Sequence, residues 1–393
     1  MSELKAKCIF HGIGQGLMYS CDISRGQAHF RFMYDCGTLY KKDKDILVSE
    51  INKIARYNEN TIDVLFLSHL DKDHISGVPY LLSKCEVKNV FIPYLSPEEL
   101  MLLSLKNEIT TESELFYIYS DPIQYFAEKG CQVFVIYPQN QNGRLNDNNY
   151  QDSENSSFFY EGNFNYSNGG KVVHCYGELK SHTFSYAWEF SVYQDQSETE
   201  QKKIIEEIKA VLPFEIKELK YEYNKIFNDK SLMKKIHDKY NSVKGGINQS
   251  SLVLYHAPAS EEHCYNYCGG YCPWCIKICD LCCSTRTPAT LLTGDIDLTA
   301  LGNNRKRFLD FIADKCDRIG ILQLPHHGSG VSISINMIKA IVNEHTKMVC
   351  SYGRGNKYYH PDAYMLDKLN KELKAYIWHV VSNQSHVYYI SDE

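Results

Sequence analysis

Short apolar runs separated by glycine turns open the chain: Lys7 to His11, the turn Gly12-Ile13-Gly14-Gln15-Gly16, Leu17 to Ile23, and His29 to Asp35 before Cys36-Gly37. Runs of this length and spacing predict a β-meander. A 3.6-residue period over Asp45 to Tyr57 predicts a helix. The unbroken apolar run from Asp63 to Ser68 predicts a fully buried strand that ends abruptly in polar residues. A helix is expected near Val78 to Cys85, then strands at Val87 to Pro93 and Gln132 to Tyr137.

Periodicity weakens after Gln139. Nine asparagines fall between Gln139 and Gly170, a loop composition, and Ser197 to Val243 is Glu/Lys-rich helical text broken by Pro213. Residues 139–245 therefore read as a polar loop and helical insertion. Strand patterns return at Ser250 to His256 and Pro288 to Thr293. Helices over Leu301–Lys315, Ser334–Glu344 and Pro361–Leu373 then alternate with strands at Arg318–Leu324, Thr346–Tyr352, Tyr376–Val381 and His386–Ile390. A β-rich start followed by alternating β and α, repeated twice, fits an α/β (α+β) sandwich of two sheets covered by helices over residues 1–393.

With 393 residues and 44% hydrophobic positions the chain can bury a large core, so disorder as the main state is excluded. A net charge of −6 argues against a polycationic nucleic-acid coat and leaves room only for a local basic path. No apolar run is long enough to span a membrane and no export signal opens the chain, so a cytoplasmic protein is expected. Of the 15 cysteines, seven crowd into Cys264, Cys268, Cys272, Cys275, Cys279, Cys282 and Cys283. Clustered thiols without an export signal point to metal rather than disulfides. The insertion 257–287 is expected to hold structural zinc; an iron–sulfur cluster or redox disulfides are the alternatives. Lying between two core strands read as leading to the same edge, it is also expected to overhang the groove at that edge.

The chemistry starts where the buried strand ends. Ser68-His69-Leu70-Asp71-Lys72-Asp73-His74-Ile75-Ser76-Gly77 carries two histidines and two aspartates in six residues. Residues two apart on an extended backbone share a side, so His69 and Asp71 can grip one ion while Asp73 and His74 serve a second. Two later strand ends repeat the device: Leu292-Thr293-Gly294-Asp295 offers one carboxylate suited to bridging, and Leu324-Pro325-His326-His327-Gly328-Ser329 offers imidazoles.

Together with Gly14-Gln15-Gly16, Tyr34-Asp35-Cys36-Gly37, Asn248-x-Ser250-Ser251 and the stretch from Gly355-Asn356 to His360-Pro361, these motifs resemble the metallo-β-lactamase fold superfamily. Within it they resemble the hydrolase domain of ComEC-type competence proteins, because Asp71 stands where a second histidine is more usual. The resemblance implies a four-layer αββα sandwich in which His69, Asp71, Asp73, His74, Asp295 and one of His326 or His327 bind two divalent metals. Asn248 stands where many relatives place a further histidine; it and Asp35 are candidates to ligate or to support ligands, and His174, His182 and His256 are unplaced. A mixed imidazole and carboxylate set suits Zn²⁺ or Mn²⁺, and Asp71 moves the preference toward Mn²⁺.

The expected function is hydrolysis of a phosphodiester in a nucleic acid or nucleotide, with Asp73 and Asp295 placing the attacking water. Ser329 and His360 would bind the phosphate, or His360 protonate the leaving oxygen. A nucleic-acid path would run over Lys217 to Lys244 or over Arg354, Lys357, Tyr358 and Tyr359. The alternatives are a catalytically silent binding or sensing module and a hydrolase of an ester, thioester or lactone.

Overall fold

The computed structural model describes residues 2–138, 158–194, 198–242, 251–260, 265–269, 284–285, 287–301, 305–374 and 376–392. The N-terminal strands are β1 (Leu4–Phe10), β2 (Met18–Arg25), β3 (Ala28–Cys36), β4 (Thr61–Phe66), β5 (Glu86–Pro93) and β6 (Gln132–Tyr137). The middle of the chain adds β7 (Phe158–Glu161), β8 (Phe164–Ser167), β9 (Val172–Tyr176), β10 (Leu179–Thr183), β11 (Trp188–Gln194) and β12 (Leu252–Pro258). The remainder are β13 (Tyr265–Gly269), β14 (Ser284–Thr285), β15 (Ala289–Leu292), β16 (Ile319–Gln323), β17 (Lys347–Ser351), β18 (Ile377–Val380) and β19 (His386–Asp392).

They build two sheets, one ordered β14-β13-β19-β1-β2-β3-β4-β5-β6-β9-β8 and the other β18-β17-β16-β15-β12-β11-β10-β7. Phe10, Tyr19, Phe32, Phe66 and Phe134 of the first sheet meet Trp188, Phe190, Leu254, Leu292 and Val349 of the second in a single apolar layer. The outer face of the first sheet, with Met33, Leu65 and Val90, packs on α1 (Lys44–Tyr57), α3 (Val78–Lys84) and α4 (Pro97–Lys106), beyond the single-turn α2 (Lys72–Ile75). On the second sheet, Leu291, Ile319 and Met348 pack on Phe308, Met337 and Leu369 from the three C-terminal helices. Helix, sheet, sheet, helix is thus the order of layers, as expected.

Part of each sheet is parallel: β3, β4, β5, β6 and β9 run together, as do β15, β16, β17 and β18. Their carboxyl ends gather at one rim, where open α/β sheets present functional groups.

Two expectations differ from the structure. Residues 158–194 are not polar loop; they form five strands that extend both sheets, because Phe158, Tyr160, Phe164, Trp188 and Phe190 are buried among the aromatics of the sandwich. Asparagine count outweighed this aromatic alternation in the sequence reading. The helices expected over Ser197–Val243 do form, at Glu198–Lys209, Leu219–Asn228 and Lys230–Ser242. The Cys-rich insertion leaves the sandwich at a different place from that expected. β12 runs away from the ligand rim and β15 runs back toward it, so their connection departs from the opposite end, and β13 adds to the sheet edge at β19.

The buried role of β11 is testable. Phe190→Ala should lower the unfolding free energy by about 3–5 kcal/mol, the cost of deleting a fully enclosed aromatic, read from the urea midpoint. A shift below 1 kcal/mol would place β11 outside the cooperative core.

Candidate metal centre

β3 delivers Asp35 to the rim in a left-handed backbone conformation with φ near 58°, and its buried carboxylate organises the loop after β4. One oxygen accepts the Ser68 backbone N–H (2.7 Å); the other accepts the Ser68 hydroxyl (2.6 Å) and the His74 Nδ1–H (2.7 Å). That bond fixes the tautomer of His74 and aims its Nε2 at Asp295 Oδ1, 3.2 Å away. Asp35 therefore stands behind His74 and positions its ring.

Asp295 reaches the same point from the other sheet. Gly294 holds φ near 55°, and a Cβ there would lie 2.6 Å from Ser68 Cβ, so the turn needs glycine on both counts. Gln323, near the end of β16, straps this turn: its carbonyl accepts the N–H groups of Thr293 and Gly294 (2.8 Å each), and its amide donates to Gly294 and Leu324 carbonyls. The Asp295 N–H donates to Ser251 Oγ (3.1 Å), which also lies 3.4 Å from His69 Nδ1.

Around the Asp295 carboxylate stand four imidazoles. Oδ1 lies 3.2 Å from His74 Nε2 and 3.9 Å from His327 Nε2; Oδ2 lies 3.7 Å from His69 Nε2 and 3.6 Å from His326 Nε2. Asp73 Oδ2 is 3.2 Å from His327 Nε2, whose other nitrogen donates to the Ser351 carbonyl (2.8 Å). His326 and His327 both adopt left-handed backbone, near φ 49° and 54°, which is how adjacent residues place both rings on the site. Strain of this kind costs on the order of 1–3 kcal/mol per residue.

Two donor groups result: His69, His74 and Asp295, and Asp73, His74 and His327. The buried His69 Nε2, His74 Nε2 and Asp295 Oδ1 have no hydrogen-bond partner. Dehydrated lone pairs and carboxylates converging in this way are the chemistry of a transition-metal site, and the residues fit the two-cation reading. Of the two adjacent histidines, His327 joins the Asp73 group and His326 faces the His69 side of Asp295.

Asp71 is held differently. Its carboxylate accepts the Lys106 ammonium at 2.7 and 3.0 Å and the Asn107 amide at 3.0 Å, and Oδ2 is still 3.7 Å from His69 Nε2. Lys106 ends α4, 35 positions beyond Asp71, and nothing in its local pattern announces it. Gln323 was equally hidden, although a polar residue near the end of an otherwise apolar strand is the kind of signal that flags it.

Ser329 is buried just past the histidine pair, donating its backbone N–H to His326. The His360 ring lies 5.3 Å from that of His326 and stacks on Tyr358. His256 is not at the centre; it bonds Tyr19 inside the sandwich, while His174 and His182 lie at the far sheet edges. Asn248 and Cys264, Cys272, Cys275, Cys279, Cys282 and Cys283 lie outside the described residues; of Cys268 only its place on β13 is described.

Charge follows geometry. Burial would raise the Asp295 carboxyl, but His74, His326, His327 and His69 hold it well below the usual carboxylate range. Burial opposes the charged form of His74 too, yet Asp295 and Asp35 keep its imidazole well above the ordinary value. Burial and then His74 pull His69 down to about 4, leaving a neutral donor at pH 7.

Residues 28–128 match the family model described as the metallo-beta-lactamase superfamily. That segment carries Asp35, the His69–His74 loop and Lys106, within a two-sheet sandwich consistent with the metallo-β-lactamase fold. Among solved structures, the chain is similar to the metallo-beta-lactamase fold protein YhfI from Bacillus subtilis, at 8% identity and a TM-score of 0.38, over 97% of this chain and 98% of that one. It is also similar to a long form RNase Z from yeast, at 9% identity and a TM-score of 0.35, over 89% of this chain and 36% of that one. No curated protein matches the chain.

Two outcomes follow for metal binding. Asp35→Asn, which removes the charge behind His74, should weaken Zn²⁺ or Mn²⁺ binding by about 10–100-fold by calorimetry; unchanged affinity would deny Asp35 its positioning role. Because Asp295 and Asp35 hold the His74 imidazole protonated well above its ordinary value, and it must lose that proton to ligate, affinity should keep rising as pH is raised above the ordinary imidazole range, with proton release. A flat pH dependence would remove His74 from the ligand set.

Proposed function

We propose that this protein is a two-metal phosphodiesterase acting on a nucleic acid or nucleotide, in the manner of the ComEC-type hydrolase domain its motifs resemble. The observation that carries this reading is the single buried carboxylate of Asp295, with one oxygen toward His74 and His327 and the other toward His69 and His326. Such a carboxylate is built to serve two cations at once. Asp73, His74, His327 and Asp295 Oδ1 would hold one; His69, Asp295 Oδ2 and His326 would surround the other, with Asp71, paired to Lys106, beside them. Divalent cations at those positions supply Lewis acidity toward a phosphoryl oxygen and lower the pKa of water.

The chain's own groups do the rest. Burial and then His326 draw His360 down to about 4, so at neutral pH it meets the substrate as a neutral imidazole able to donate one N–H to a phosphate oxygen. Next to it, Tyr359 is 88% exposed and Tyr358 47%, with Lys357 and Arg354 on the same loop. Exposed rings interleaved with cations suit the bases and backbone of a single strand. The alternative path over the helices is less suited, since Lys217, Lys225 and Lys239 are paired with Glu215, Glu222 and Glu207. Among the described residues no helix is long and apolar enough to cross a membrane.

The test is Mn²⁺- or Zn²⁺-dependent cleavage of bis(p-nitrophenyl) phosphate and of a single-stranded oligonucleotide. Asp295→Asn should lower both rates by at least about 100-fold. Tyr359→Ala should weaken oligonucleotide binding by about 1–3 kcal/mol and spare the small ester. Equal, absent phosphodiesterase activity in both wild type and Asp295→Asn would shift the reading to a carboxylic ester, thioester or lactone.

A further inference from the structure

A second constellation lies on the helical face of the first sheet, in a cleft of about 370 Å³ between α1 and strands β1, β2 and β19. None of its residues belongs to the metal centre. Three of them form a relay. The Ser20 hydroxyl on β2 lies 2.8 Å from His11 Nε2, and His11 Nδ1 lies 2.9 Å from Glu50 Oε2 on α1. His11 follows directly on β1, and its backbone N–H is fixed by the Met18 carbonyl (2.9 Å), so the ring is seated by the β1–β2 hairpin.

Glu50 also takes the Lys53 ammonium (2.6 Å). The hydrogen bond from His11, against the opposing effect of burial and with the help of Lys53, holds the Glu50 carboxyl down to about 2. Glu50 is therefore a carboxylate that demands the Nδ1–H tautomer of His11. The lone pair of Nε2 is left facing the Ser20 O–H. Carboxylate, imidazole and hydroxyl in this order are the signature of an activated serine.

We propose that Ser20, His11 and Glu50 form a second hydrolytic site, independent of metal, with Ser20 as nucleophile toward a short acyl ester. Ile9, Ile54, Tyr57 and Val387 supply apolar wall for the acyl chain. The Lys7 ammonium, 4.5 Å from the Tyr57 ring centroid in the same cleft, is the cation at hand for charge on the carbonyl oxygen. Ser20 Oγ bonds to the acyl carbon while its proton passes to His11 Nε2. The carbon–oxygen bond to the alcohol then breaks, and the alcohol leaves with that proton. Water, giving a proton to His11, attacks the acyl-Ser20 ester; Ser20 recovers the proton and a carboxylic acid departs.

The test treats the full-length protein, in excess chelator, with a fluorophosphonate probe and maps the label by peptide mass spectrometry, alongside turnover of p-nitrophenyl butyrate. The label should fall on Ser20, be lost in Ser20→Ala, and form about 100-fold or more slowly in His11→Gln, the scale of a general base's contribution. Thermal unfolding of each variant reports whether it folds, and the site of labelling in the wild type needs no variant. No label in the wild type, a label on another residue, or wild-type labelling rates in folded His11→Gln would each overturn the proposal. So would labelling that appears only when the chelator is left out.

Discussion

A carboxylate buried where two sheets meet is the constraint around which the rim is arranged. Asp295 is 3% exposed, and an isolated charge at that depth would be strongly unfavourable. Four imidazoles answer it, each from a strand end or the loop beyond one, and each needs its own fixed tautomer. The fixing groups are ordinary ones: the Asp35 carboxylate behind His74, the Ser351 carbonyl behind His327, Ser332 behind His326 and Ser68 behind His69. The parallel parts of the sheets are needed because only parallel strands bring so many chain ends to one rim.

The stiffness of this arrangement comes from backbone contacts more than from the side chains themselves. A Cβ at Gly16 would lie 2.6 Å from the Asp73 carbonyl, and the Leu17 N–H donates to that same carbonyl (3.2 Å). The first glycine turn of the chain is thus pressed against the ligand loop. Gln15 extends the contact by accepting the Gly353 N–H (3.0 Å), which ties the start of the chain to the loop that carries Tyr358 to His360. A donor set spread over about 260 residues, from His69 to His327, behaves as one unit because these segments leave one another no free space.

Much of this was legible in the sequence where one physical signal dominated. Buried strands announced themselves as unbroken apolar runs, and polar clusters at their ends marked the side chains that the fold brings together at the rim, because few other reasons put His and Asp on a buried strand terminus. Asp35 stood out as a candidate ligand or support, but the roles of Gln323 and Lys106 were not legible in the same way. Each acts through a partner distant in sequence, Lys106 on Asp71 across 35 positions and Gln323 on Gly294 across 29, and periodicity carries no information about such pairs. The strands between Phe158 and Gln194 were obscured for another reason: the asparagine-rich text before them dominates composition, while the burial of Phe158, Tyr160 and Phe164 depends on the opposing sheet. Ser20 and His11 looked like ordinary strand residues, and only α1 folding over β1 and β2 brings Glu50 to them.

Lys106 also makes the two halves of the centre unequal. Among the described residues the group formed by Asp73, His74 and His327 meets no ammonium, whereas the His69 side includes a carboxylate already neutralised by one. A dication at the first group would gain the full field of Asp73 and Asp295; one at the second would share Asp295 and compete with Lys106 for Asp71. Affinity in carboxylate-containing sites follows the charge the ligands present, so a second ion would be held less tightly, and its binding would be coupled to where the Lys106 side chain rests. With the side chain about a quarter exposed, Lys106 can turn toward solvent or toward an anionic substrate at modest cost. A phosphate that drew the ammonium away from Asp71 would restore that carboxylate to the second ion, so substrate and second metal would favour each other's binding.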